Sequence, residues 1–180
     1  MSGGFRSRAR SSGQEPKKQT PRQAPRKPQQ SRRRPERRNT AGVDKPRLLA
    51  FDVLTRVRED DAYANLILPR MLRERRIVER DAAFTTEITY GTLRTMGVLD
   101  AVIAECSSRG LDQIAPEVLD ALRLGTYQLL YTRVEPHAAV DTTVRLVEAA
   151  GHEKAKGFAN GIMRTISRTK PEKWIEKLTP

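Results

Sequence analysis

From Asp44 to the end of the chain, apolar side chains recur every three to four residues, and no stretch alternates with period two. A half-buried strand needs that alternation, so the pattern confines the folded part to helices. The expected fold class is all-α, a compact bundle of seven to eight helices with one core.

Asp44 suits the N-cap of a first helix, with Pro46 tolerated in its first turn. Leu49, Ala50, Val53, Leu54 and Val57 then form one stripe, ending near Arg58–Asp60. A short helix is expected over about Ile67–Arg75, with Pro69 in its opening turn and Leu68, Met71 and Leu72 inward. The third spans about Arg80–Thr95, with Phe84, Ile88 and Gly91 on one face. Gly97 is read as a break before a fourth helix, Leu99–Cys106. The helix that starts at Pro116 is apolar on two faces (Val118, Leu119, Leu122, Leu129 and Leu130 on one; Leu124, Tyr127 and Tyr131 on the other), which predicts a buried central element. Pro136 opens the sixth helix and Gly151 stops it. The seventh, about Glu153–Ser167, sets Phe158, Ile162 and Ile166 inward and Lys156, Asn160, Arg164 and Arg168 outward. A last short helix begins at Pro171 and contains Trp174.

Charge divides the chain differently. Residues 1–46 hold 14 Lys or Arg against three acids and six prolines, whereas the remainder is nearly balanced. So few apolar groups cannot offset a backbone entropy of about 1–2 kcal/mol per residue, which predicts a disordered basic tail over residues 1–43. Arg32, Arg33, Arg34, Arg37 and Arg38 place five guanidinium groups within seven residues, each able to fork onto a phosphate. Two readings stand for this tail: an arm that holds RNA by its backbone, or a solvated extension that aids solubility.

Motifs for chemistry are absent from the sequence. There is no G-x-G-x-x-G, Walker loop or H-E-x-x-H, and no Cys/His spacing for a metal, so no catalytic or metal-binding residue is assigned. The single Cys106 reads as a structural thiol, His137 and His152 as caps or surface groups, and Asp120 with Arg123 as an ordinary surface ion pair. Gly157 and Gly161, four apart, are expected to mark close helix packing. Arg47, Lys154, Lys156 and Arg164 are the candidate RNA-binding cations of the helical part, with Tyr63 and Tyr90 as candidate stacking partners. One thiol, no apolar leader and no run of roughly 18 apolar residues fit a bacterial-type cytoplasm.

Five blocks stand in order along the chain: Arg47-Leu48-Leu49-Ala50, Tyr90-Gly91-Thr92-Leu93-Arg94, Leu122 to Leu130, His137-Ala138-Ala139-Val140-Asp141, and Lys156-Gly157-Phe158 running on to Arg164. Together they resemble the NusB-like helical domain over residues 44–168. The last two, with the second, are similar to the amino-terminal domain of the RsmB (Sun) ribosomal RNA cytosine-C5 methyltransferases. That resemblance implies ribosomal RNA as partner and residues 169–180 as a linker helix. It further implies a following methyltransferase domain that binds S-adenosylmethionine and supplies the catalytic cysteines. No cofactor is assigned to these 180 residues themselves.

Three functions follow as alternatives. The first is an RNA-binding domain that helps position ribosomal RNA for methylation by its own C-terminal domain. The second is a free-standing antitermination factor binding single-stranded RNA and a ribosomal protein. The third is a structural domain that packs on a catalytic unit and barely touches RNA.

Overall fold

Asp44 caps the first helix as its sequence position suggests: a side-chain oxygen accepts from the Arg47 backbone N–H at 3.2 Å, and Pro46 lies in the first turn. The structure, a computed structural model, describes residues 3–4, 40 and 42–178. Nearly all of the tail read as disordered, with Arg32, Arg33, Arg34, Arg37 and Arg38, lies outside the described residues. Residues 42–178 belong to one unit.

In this unit the described residues form eight α-helices and no strand: α1 (Lys45–Asp60), α2 (Ala64–Glu74), α3 (Glu79–Arg94), α4 (Met96–Cys106), α5 (Pro116–Tyr131), α6 (Pro136–Ala149), α7 (Lys156–Arg168) and α8 (Pro171–Leu178). Short 3-10 turns occupy Leu111–Gln113 and Glu153–Ala155. The second of these takes residues that periodicity assigned to α7. Likewise α2 begins three residues earlier than expected, which puts Pro69 in its interior rather than its opening turn. Pro69 is exposed, and the carbonyl four residues back belongs to exposed Asn65, so the missing N–H leaves that carbonyl to water. Gly97 is not the break between α3 and α4. It lies inside α4, and the chain turns at Thr95, whose backbone leaves helix geometry at φ −105° and ψ 15°.

Helix α5 is the central element, packed against α1, α3, α4, α6, α7 and α8. Val118, Ala121, Leu122 and Leu124 on it are each at most 1% exposed, which confirms the two-faced reading. A smaller apolar cluster joins α1 to α2 through Leu49, Val53, Leu68, Met71 and Ile77. Helix α3 buries threonines more than aromatics: Thr85, Thr89 and Thr92 are fully covered while Phe84 is half-buried. Each hydroxyl donates to the carbonyl four residues back at 2.6–2.7 Å, so burial leaves none unsatisfied. Gly91 shares this face, and its missing Cβ makes the notch that receives the Tyr127 ring.

The expected surface pair Asp120–Arg123 is instead part of a buried junction. Asp120 is 2% exposed and accepts from Arg58 Nε at 2.9 Å, while Arg123 Nη1 stands 3.6 Å from its other oxygen. Arg123 also forks onto Asp100, at 2.6 and 2.9 Å, so α1, α4 and α5 meet through four charged side chains. Periodicity missed this because a charged residue on an apolar face reads as an interruption, not as core.

Candidate nucleic-acid interface

Helices α6 and α7 are consecutive, pack against each other, and are set by the six residues between them. Gly151, at φ +88°, makes the left-handed step after α6. Its N–H donates to the Glu148 carbonyl at 2.9 Å and the His152 N–H to the Val147 carbonyl at 3.1 Å, the paired bonds of a Schellman stop. Helix α7 then buries Ala159, Ile162, Met163 and Ile166. Its row Lys156, Asn160, Arg164, Arg168 faces outward, as periodicity predicts, the first two half-buried and the last two exposed.

Between the outer edges of the two helices lies a groove of about 370 Å³. Its walls include Pro136, His137, Val140 and Val144 from α6, and Asn160 and Arg164 from α7. Asp141 also lines it and is held by Arg145 at 3.0 Å. Among the described residues, neither the Arg164 guanidinium nor the Asn160 carboxamide has a hydrogen-bond or ion-pair partner. Gly157 and Gly161 do not mark close packing: both are exposed, and a Cβ at either would meet nothing. Together they leave a strip of α7 bare beside Asn160.

The other candidate cations are placed variously. Lys154 is exposed in the turn before α7, and Lys156 is paired with Glu148 at 3.2 Å. Arg47 is largely spent: Nε donates to Gln128 at 2.7 Å, Nη1 meets Asp44 at 3.0 Å, and the guanidinium stacks 5.0 Å above the Phe84 ring. Just ahead of α1, Gly42 abuts the side chain of Arg145, a residue of α6, which forms one wall of the groove.

Residues 44–168 match the NusB family. The chain belongs to it. A Mycobacterium tuberculosis protein with a provisional methyltransferase name is 50% identical over 138 residues, covering 77% of this chain and 30% of the relative. The Escherichia coli ribosomal RNA small subunit methyltransferase B is 32% identical over 126 residues, covering 70% and 29% respectively. The chain thus spans about 30% of the length of these relatives. A crystal structure of the antitermination factors NusB and NusE in complex with double-stranded RNA has a chain that is 27% identical, with a TM-score of 0.61, covering 68% of this chain and 93% of that one.

In this NusB-family domain the stacking candidates fare unequally. Tyr63 is 72% exposed, whereas Tyr90 is half-buried against the α1–α2 cluster. Tyr131 escaped sequence reasoning. It is 39% exposed at the end of α5 and stacked on Tyr127, with ring centroids 5.3 Å apart. Its membership of an apolar face predicted burial, and only its place in the last residue of the helix could have signalled otherwise. His152 serves the stop of α6 through its backbone N–H only; its side chain makes no cap bond, and Nε2 lies 3.1 Å from Glu117. Cys106 is partly buried, and burial, then the charge of Glu105, pushes its thiol above the ordinary range. A raised thiol is a poor nucleophile near neutrality. Among the described residues no group of three or more His, Cys, Asp or Glu is placed to hold a metal, and no helix is long and apolar enough to cross a membrane.

Proposed function

We propose that this NusB-family domain binds ribosomal RNA and helps position it for cytosine-C5 methylation by a catalytic domain outside these 180 residues. The observation that carries the reading is the match to a limited part of ribosomal RNA small subunit methyltransferase B, a relative more than three times longer than the matched segment. In this reading S-adenosylmethionine and the catalytic groups belong to that further domain, and the helical body supplies fixed contacts. Lys154, Lys156 and Arg164 on or beside α7 meet phosphates, Arg47 contributes what its internal bonds leave unused, and Arg32, Arg33, Arg34, Arg37 and Arg38 add electrostatic capture. Such contacts position a strand without reading its sequence.

Fluorescence anisotropy on a labelled single-stranded fragment of small-subunit ribosomal RNA tests this, with the whole chain and with a form beginning at residue 44, at about 50 and 200 mM salt. Binding by both is expected, weaker and less salt-dependent for the shorter form. Failure of both to bind would remove the reading.

A second reading rests on the NusB of the NusB–NusE–RNA crystal structure, nearly all of which this chain covers. It makes the chain an antitermination factor that binds RNA together with a ribosomal protein. Co-purification with such a protein, and no gain in methylation when a catalytic domain is joined to the chain, would favour it.

A further inference from the structure

We infer that the α6–α7 groove seats one unpaired nucleotide of an RNA strand: base against Val140 and Val144, base edge on the Asn160 carboxamide, neighbouring phosphate on Arg164. This rests on the RNA-binding reading and adds where, and in what form, the strand is held.

Size limits the occupant first. A groove of about 370 Å³ is at the small end of ligand sites, room for a single nucleotide. Its lining is divided as a nucleotide is divided. The valines and Pro136 offer an apolar wall for the face of a base. Asn160 has one acceptor and two donors with no partner among the described residues, the set that pairs with the edge of an unpaired base. Arg164 has its planar fork equally unspent, and a phosphate is the group that fork fits.

Two further features favour a strand over a free nucleotide. Gly157 and Gly161 leave α7 bare beside Asn160, so a sugar–phosphate backbone can run along the helix without meeting a side chain. Lys156 and Arg168 continue the same outward row above and below the groove, one turn from its members. Asp141, the one carboxylate in the lining, lies across from Arg164 on α6 and is paired with Arg145, so it does not oppose a phosphate at Arg164.

The test uses the whole 180-residue chain with a single-stranded oligoribonucleotide carrying 4-thiouridine, irradiated and mapped by mass spectrometry, alongside binding curves. The variants are Arg164→Ala and the near-isosteric Asn160→Asp, both at outward positions that leave the core intact. Cross-links to peptides from residues 136–145 or 156–168 are expected, with affinity falling about tenfold for Arg164→Ala and severalfold for Asn160→Asp. If the wild-type chain binds no oligonucleotide, the RNA reading fails and this inference with it. If it binds while both variants bind equally well and cross-links fall elsewhere, the groove assignment is overturned and the RNA reading stands. Protection of the groove by a protein partner, with RNA binding unchanged in the variants, overturns it too.

Discussion

Arg47 on α1 and Gln128 on α5 are joined side chain to side chain, Nε to Oε1 at 2.7 Å, and Gln128 is 1% exposed. The bond therefore fastens the start of the first helix to the central one. The same carboxamide donates through Nε2 to the Leu124 carbonyl at 3.0 Å, so both ends of the buried side chain are used. Arg47→Ala strands a buried acceptor and is expected to cost about 1–3 kcal/mol. Arg47→Ala combined with Gln128→Leu should recover part of that. Urea unfolding of the two variants is the check; equal stability of wild type and single variant would refute the joint.

Gly91 on α3 and Tyr127 on α5 pack in direct contact. A Cβ at residue 91 would collide with the hydroxyl end of the Tyr127 ring, whose face is stacked on Tyr131. Gly91→Ala is expected to destabilise by about 1–3 kcal/mol, the usual range for forcing a methyl group into a filled core. Adding Tyr127→Leu, which removes the colliding atoms, should return some of the loss. Thermal melts of both variants decide it, and an unshifted midpoint for Gly91→Ala would contradict the fit.

Asp120 carries a pH signature. Burial raises its pKa, and the hydrogen bond and charge of Arg58, with the charge of Arg123, only partly oppose this. An acid whose pKa is higher folded than unfolded binds more protons in the native state. Its contribution is fully present below the unfolded value and is lost as pH rises through the folded one. Relative to Asp120→Asn, the wild type should therefore gain stability as pH falls from neutrality toward about 4. Other carboxylates are common to both proteins and cancel. Asp120→Ala is expected to cost about 3 kcal/mol at neutral pH, since it removes the acceptor of Arg58 Nε and leaves that guanidinium only the longer contact with Glu59. Denaturant titrations at two pH values measure both effects; a difference between wild type and Asp120→Asn that stays constant with pH would rule out the first.

Trp174, the chain's single tryptophan, is 5% exposed and donates Nε1–H to the Ile166 carbonyl at 3.3 Å. It anchors α8 to the end of α7. Its emission should be blue-shifted in the folded protein and poorly quenched by acrylamide. Trp174→Ala is expected to cost about 3 kcal/mol, read from urea unfolding followed by circular dichroism. Ready quenching in the native state would show that α8 is not docked.

Most of the helical architecture was readable because proline and apolar period mark it directly. Pro116, Pro136 and Pro171 each open a helix, and the two-faced pattern of α5 identifies the central element. The misplacements have local causes. Pro69 looked like a start because proline favours first turns, but an exposed interior position tolerates it; Gly97 looked like a break although Thr95 supplies the turn. What could not be read was the direction in which polar groups point. Asp120 is core and Arg47 is a joint because other helices bring arginine and glutamine to them across 62 and 81 residues of sequence. The opposite error occurred at Gly157 and Gly161, where spacing alone suggested a contact and the neighbouring helix lies elsewhere. Both groove walls could be anticipated from the outward row on α7 and the block after Pro136, but their convergence on one cavity is a tertiary fact.

Because α6, its glycine stop and α7 follow one another directly, the whole of the groove is encoded by a single unbroken stretch from Pro136 to Arg168. The two walls are therefore neighbours in sequence as well as in space. A surface encoded this way behaves as a cassette: recombination or grafting can move it between helical frameworks in one piece, and the outward positions, Asn160 and Arg164, can change while the buried faces of α6 and α7 stay as they are.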